Sequence, residues 1–250
     1  MASGNPALTR KTFDGLPATD GARMTLNGTV HKTALLLLLT VASAFMSWRA
    51  GYGMLPPDYD AAASFGPWII GASITGLVVA LVIVFRKQWA PFLAPVYAIV
   101  EGVAIGFVSM MLEMQFPGIA LQAATLTFGT LAALLMAYRS GLIRATENFK
   151  LGVTAATGGI LVVYLFDLVM RFFGMPIGFI HDNGWMGIGF SLFVVAIAAL
   201  NLVLDFDFIE TGVERGAPAY MEWYGAFGLL VTLIWLYLEI LRLLAKARSR

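Results

Sequence analysis

The chain has 250 residues, of which 59% are hydrophobic and only 12% are charged. A soluble domain carries about 25% charged residues, so this composition excludes a soluble globule and predicts an integral membrane protein. The net charge of +1 argues against a nucleic-acid partner, and the absence of cysteine excludes disulfides, thiolate metal sites and cysteine nucleophiles.

The first 31 residues are polar, rich in Gly, Thr and Asp, and show no apolar periodicity. A segment of this composition buries too little apolar surface to fold by itself. We therefore expect a disordered N-terminal tail over residues 1–31 and a membrane domain over residues 32–247.

Seven apolar segments follow, each close to the roughly 20 residues that a helix needs to cross a bilayer. They cover residues 33–50, 66–85, 90–112, 119–138, 151–173, 186–208 and 223–244. Five of the six tryptophans lie at the ends of these segments, where aromatic side chains meet the lipid headgroups. The sequence predicts an all-α integral membrane protein built as a seven-transmembrane-helix bundle.

The distribution of Lys and Arg predicts that the N-terminus is cytoplasmic. With that orientation, Arg49 and Arg171 are the basic residues of the outer loops, and the other loop cations face the cytoplasm. Arg242, Lys246, Arg248 and Arg250 conflict with this rule if the seventh segment spans fully. Either that segment spans despite them, or it is re-entrant and the tail returns to the cytoplasm.

Carboxylates inside the predicted spans are the candidate functional groups, because such a charge costs about 2.5–3.5 kcal/mol at mid-membrane. Glu101 lies near the middle of the third span. Asp167 precedes Arg171 by four residues, and Glu239 precedes Arg242 by three, so one helical turn separates each pair. We interpret those two pairs as structural ion pairs, which makes them secondary candidates.

The sixth span carries two aspartates that cannot share a site. Asp205 and Asp207 point about 200° apart on a helix. Asn201 lies one turn before Asp205 and extends a polar stripe, whereas Asp207 lies on the side of acidic residues that face the inner surface. We predict Asp205 as the interior group and Asp207 as an interfacial or capping group; the alternative for Asp205 is a carboxyl that only hydrogen-bonds a neighbouring helix.

Two glycine patterns predict close helix contacts. Glu101-Gly102-x-x-x-Gly106 contains a G-x-x-x-G step, and the run from Ala155 to Gly159 is similarly small. Both patterns are common in apolar segments.

The sequence lacks the residue patterns that common enzyme mechanisms need. The only histidines, His31 and His181, lie at membrane edges, and the sequence contains neither an H-E-x-x-H motif nor a Gly-rich phosphate loop. We predict a protein that is not an enzyme and holds no cofactor.

Three stretches resemble the Bax inhibitor-1/YccA-like family of transmembrane Bax-inhibitor-motif proteins. They are Glu101-Gly102-x-x-x-Gly106, the segment from Leu202 to Glu210, and the apolar last span that ends on Leu241-Arg242-Leu243-Leu244. The run Trp223-Tyr224-Gly225-Ala226-Phe227-Gly228 most resembles an actinobacterial branch. The resemblance implies a bundle with a central seventh helix in a bacterial cytoplasmic membrane.

The resemblance also implies a function. Some members are proton-regulated calcium leaks, and others suppress cell death or restrain a membrane protease. The family's proton sensor is an aspartate pair: Asp205 matches its first position, but the second falls on Thr232, and the second span lacks the Arg of some members. These departures put the aspartate dyad in doubt.

Our hypothesis is a weak Ca²⁺ or proton pathway lined by Asp205, Asn201, Thr232 and Glu101. Carboxylates in low dielectric are sensitive to pH, and their oxygens suit Ca²⁺. The rival hypothesis is a non-conducting protein that binds another membrane protein, such as a quality-control protease, through the tail and faces such as Gly158-Gly159. A secondary transporter ranks last, because the sequence shows no convincing internal repeat.

Overall fold

A computed structural model describes residues 22–54, 61–175, 178 and 182–249. In these residues the chain forms seven long helices, each long and apolar enough to cross a membrane. They are α1 (Leu26–Met54), α2 (Ala61–Phe85), α3 (Ala90–Gln115), α4 (Ile119–Arg139), α5 (Glu147–Phe172), α6 (Trp185–Glu214) and α7 (Tyr220–Arg248). The predicted all-α seven-helix class is confirmed.

Local sequence signals set several of the helix ends. Thr146 caps the N-terminus of α5, where its hydroxyl accepts the Phe149 N–H. Gly118 and Gly216 follow α3 and α6 with φ of 84° and 61°, a left-handed conformation that glycine adopts without steric cost. These residues stop the helices where the loops must turn.

The first helix begins at Leu26, several residues before the predicted span, because the chain ahead of it is held in place. Arg23 forms an isolated antiparallel bridge with Pro218. The Glu222 carboxylate accepts the Thr25 N–H and hydroxyl at 2.8 Å each and pairs with Lys32. These contacts satisfy the start of α1 and allow the helix to extend. Residues 1–21 of the predicted tail lie outside the described residues.

The described chain divides into two compact units. The first unit contains residues 22–120 and 209–230, and the second contains residues 121–208 and 231–249. Helices α6 and α7 are each continuous and contribute a segment to both units.

In the first unit, the G-x-x-x-G step of α3 packs directly against α1. A Cβ atom at Gly102 would overlap the Thr40 carbonyl and the Ser43 side chain, and one at Gly106 would overlap the Ala44 carbonyl and the Ser47 side chain. The predicted close approach of a second backbone to α3 is therefore confirmed.

In the second unit, the small run of α5 makes its contacts through Ala156 and Thr157 rather than through its glycines. Added Cβ atoms at Gly158 and Gly159 would meet no atom of the described chain within 4 Å. These two glycines lie on an exposed face of α5, because the helix turns Ile160 and Val153 into the core instead.

The last helix is a single helix from Tyr220 to Arg248 and is the most deeply buried of the seven. Its length favours a full span over the re-entrant alternative. Its terminal cations are held by internal contacts: Lys246 donates to the Gly187 carbonyl and the Ser191 hydroxyl, and Arg248 donates to Gln122.

The contact between α1 and α3 gives a direct test of the first unit. We expect Gly102→Ala to lower the free energy of unfolding by about 1–3 kcal/mol, because the new methyl group forces the α1 backbone away. The matched control is Gly158→Ala, whose methyl group meets open space and leaves stability unchanged or slightly higher. Thermal unfolding of both variants in detergent measures the difference; equal stability would contradict the proposed close packing.

Candidate functional site

Asp205 is the most unusual side chain of the second unit. It lies on α6, its exposed fraction is 0%, and neither of its carboxylate oxygens has a hydrogen bond of good geometry within the described chain. Thr232 on α7 is its polar neighbour, and the two side chains are close enough to interact. A hydroxyl neighbour offsets only part of the cost of burying a charge, so the fold carries a costly group at this position.

Asn201, one turn before Asp205, is also buried and has a fixed orientation. Its Nδ2 atom donates to the Ile197 carbonyl and to the Thr157 hydroxyl of α5, at 2.8 Å each. Thr157 in turn donates to the Val153 carbonyl at 2.8 Å. The Asn201 Oδ1 atom accepts no hydrogen bond from the described residues.

Two buried polar side chains therefore lie one turn apart on α6: Asp205, whose carboxyl group has the Thr232 hydroxyl beside it, and Asn201, whose Oδ1 atom has no donor among the described residues. Hard cations such as Ca²⁺ take carboxylate and amide oxygens as ligands. The described residues contain no group of three or more His, Cys, Asp or Glu that could hold a metal ion. The arrangement thus has the chemistry of a weak oxygen site and lacks the carboxylates of a tight one.

Asp207, two residues later, has a different environment. Its carboxylate pairs with Lys150 of α5 at 2.5 Å, and the Lys150 side chain is almost fully buried. The exposed Glu147 lies 3.9 Å from the same ammonium group. This ion pair gives Asp207 a structural role, in which it holds α6 to the start of α5. Its role therefore differs from that of Asp205.

The secondary carboxylates are both paired, as their spacing predicts. Arg171 donates to Asp167 at 3.0 Å. Arg242 donates to both oxygens of Glu239, at 2.9 and 3.0 Å. Tyr164 of α5 completes the second pair: its hydroxyl donates to Glu239 at 3.0 Å and accepts from Arg242 at 2.7 Å.

Glu101 belongs to the first unit. It is half-buried on α3, and its carboxylate lies against Gly76 of α2, where a Cβ atom would overlap it. Tyr97, one turn earlier, is close enough for an electrostatic interaction. Of the predicted pathway residues, the structure brings Asp205, Asn201 and Thr232 together within the second unit and places Glu101 in the first.

Sequence reasoning missed the partners that come from α5. Thr157 and Tyr164 are seven residues apart on one face of that helix, and Lys150 is seven residues before Thr157. Polar residues at this spacing in an apolar helix are a signal that could have identified α5 as the helix that faces the polar groups of α6 and α7.

One protein family matches this sequence over nearly its whole length. The family described as Bax inhibitor 1 like matches residues 5–249. No curated protein and no solved structure shows a significant match to the chain.

The two aspartates of α6 should respond in opposite ways to the same substitution. Asp207→Asn leaves the buried Lys150 without its carboxylate, so we expect the free energy of unfolding to fall by about 1–3 kcal/mol. Asp205→Asn removes a buried charge whose neighbour is the neutral Thr232 hydroxyl and leaves a side chain that can still accept from that hydroxyl, so we expect unchanged or higher stability. Chemical or thermal unfolding in detergent measures both variants. A loss at Asp205 as large as that at Asp207 would mean that the Asp205 carboxylate has a structural partner.

Proposed function

The chain belongs to the Bax inhibitor 1 like family, and from this membership and the Asp205 cluster we propose that it forms a weak cation leak pathway in a membrane. The ion is Ca²⁺ or a proton, and the residues that carry it are Asp205, Asn201 and Thr232. The chain performs no enzymatic reaction in this account and needs no cofactor.

The observation that carries the proposal is the fully buried Asp205 carboxyl group on α6, with the Thr232 hydroxyl beside it and the buried Asn201 amide one turn away. Inside a bilayer, an ionisable side chain is rare and usually marks an ion or proton pathway. Conduction requires binding that is strong enough to admit an ion and weak enough to release it. One carboxylate, one amide oxygen and one hydroxyl meet that requirement better than a cluster of carboxylates would.

At position 232 this chain has Thr where the family resemblance implies the second aspartate of a pair. A hydroxyl group offers a neutral oxygen and takes no part in titration near neutral pH. We therefore propose a single titrating carboxylate, Asp205, whose protonation state alters the affinity for the cation. Any pH dependence of the flux should then require Asp205 alone.

For cellular placement we propose a bacterial cytoplasmic membrane with the N-terminus inside. The support is the excess of Lys and Arg in the loops that this orientation places in the cytoplasm. The cations at the end of α7 oppose this orientation if α7 spans fully, since Lys246 and Arg248 donate to neutral acceptors that leave their charge in place.

A flux measurement tests the pathway. We expect the purified protein in liposomes to pass Ca²⁺, and Asp205→Asn to reduce the flux about tenfold or more and to remove its dependence on pH, because the charged ligand is gone. Asp207→Asn is the matched control, since it neutralises a carboxylate that already pairs with Lys150. Measured below its unfolding temperature, it should retain the flux.

The same flux assay tests whether Glu101 takes part in the ion pathway. A role in the pathway predicts reduced flux for Glu101→Gln, whereas a structural role against Gly76 predicts normal flux and altered stability. The pathway proposal fails if Asp205→Asn conducts as well as the parent protein and with the same pH dependence.

A second candidate function is binding of another membrane protein, such as a membrane protease. The observation in its favour is the open, exposed face of α5 at Gly158 and Gly159, which lets a foreign helix approach closely. We expect this function to show as a stoichiometric membrane partner that co-purifies and is lost in Gly159→Leu, with no flux in liposomes. A partner retained by Gly159→Leu would exclude this face as the binding site.

A further inference from the structure

The interior of the second unit alternates between polar and apolar side chains along three helices. Each helix presents a polar group, then an apolar group, then a second polar group. On α5 these are Thr157, Ile160 and Tyr164; on α6 they are Asn201, Ile197 with Val194, and Ser191; on α7 they are Thr232, Trp235 and Glu239.

Within each polar layer, contacts between helices join the polar side chains. The first layer joins Asn201 to Thr157 and contains Asp205 beside Thr232. The second layer contains the Tyr164 contact with Glu239 and Arg242. The contact of Lys246 with Ser191 lies beyond it, toward the end of α7. Since α5 and α7 each cross between the layers in seven residues, the layers lie about 10 Å apart.

The apolar layer between them is a packed cluster. Ile160, Val194 and Ile197 are buried, at exposed fractions of 4%, 0% and 9%, and Trp235 of α7 packs against them. Phe190 adds a second aromatic ring beside the cluster and makes an edge-on contact with Tyr164, with ring centroids 6.1 Å apart.

Trp235 is unusual among the tryptophans of this chain. The other five lie at the ends of the predicted spans, as the headgroup preference of the indole ring leads one to expect. Trp235 lies within α7, three residues after Thr232 and four before Glu239, so the largest side chain of the layer stands between the two polar groups of its own helix.

We propose that Trp235, Ile160, Val194 and Ile197 form the barrier that limits the ion pathway, by separating the Asp205 layer from the Tyr164–Glu239 layer. This inference rests on the proposed function and adds the residues that set the rate. An apolar constriction excludes water and thereby blocks ions, even where polar groups lie on both sides. An ion bound at Asp205 crosses only when the layer admits water.

Trp235→Ala tests the barrier by removing its largest member. We expect the Ca²⁺ flux in liposomes to rise about tenfold, which corresponds to a barrier lowered by about 1.4 kcal/mol. Leu236→Ala is the matched control, because it removes a fully buried side chain of α7 that is not part of the layer. The double variant Trp235→Ala with Asp205→Asn should return to the low flux of Asp205→Asn.

A second measurement is independent of ion flux and uses the absence of native cysteine. Thr232→Cys places a single thiol in the Asp205 layer. A small charged thiol reagent, added on the side of the membrane where α7 ends, should leave this thiol unmodified in the otherwise native chain. It should modify the thiol once Trp235→Ala is added.

The outcomes test the barrier proposal and the pathway proposal separately. The barrier proposal is overturned if Trp235→Ala changes neither flux nor labelling, if Leu236→Ala raises flux equally, or if the double variant leaks as much as Trp235→Ala alone. The pathway proposal fails on a different result, namely an Asp205→Asn variant with unchanged flux. Labelling that depends on Trp235 supports the barrier in either case.

Discussion

The full burial of the Asp205 carboxyl group, with only neutral polar neighbours such as the Thr232 hydroxyl beside it in the described chain, is the constraint around which the second unit is organised. Nearby polar groups are matched: Lys150 pairs with Asp207, Asn201 uses both N–H groups, and Tyr164 is held between Glu239 and Arg242. A buried carboxylate that no cation pairs with is costly in a membrane. This cost is the physical reason to assign function to Asp205 rather than to the carboxylates that are paired with Lys or Arg.

The two units use different means to pack helices in lipid. In the first unit, Gly102 and Gly106 bring α3 against the α1 backbone, so contact depends on the lack of side chains. In the second unit, contact depends on polar pairs between helices and on the apolar layer around Trp235.

The sequence predicted those features that depend on spacing within one helix. The seven spans follow from hydropathy, and the Asp167–Arg171 and Glu239–Arg242 pairs follow from helical periodicity. Contacts between helices depend on rotation and register, which composition does not specify. For this reason the Lys150 and Thr157 partners were missed, and the glycines at 158 and 159 were expected to share the contact that Thr157 makes.

The most direct test of the central claim is to observe the Asp205 carboxylate while the ion binds. Infrared difference spectra of the reconstituted protein, with and without Ca²⁺, report changes in carboxyl vibrations. The account predicts a carboxyl band that changes when Ca²⁺ is added and is missing from the difference spectrum of Asp205→Asn, but present in that of Asp207→Asn. A spectrum of Asp205→Asn identical to that of the parent protein would contradict it.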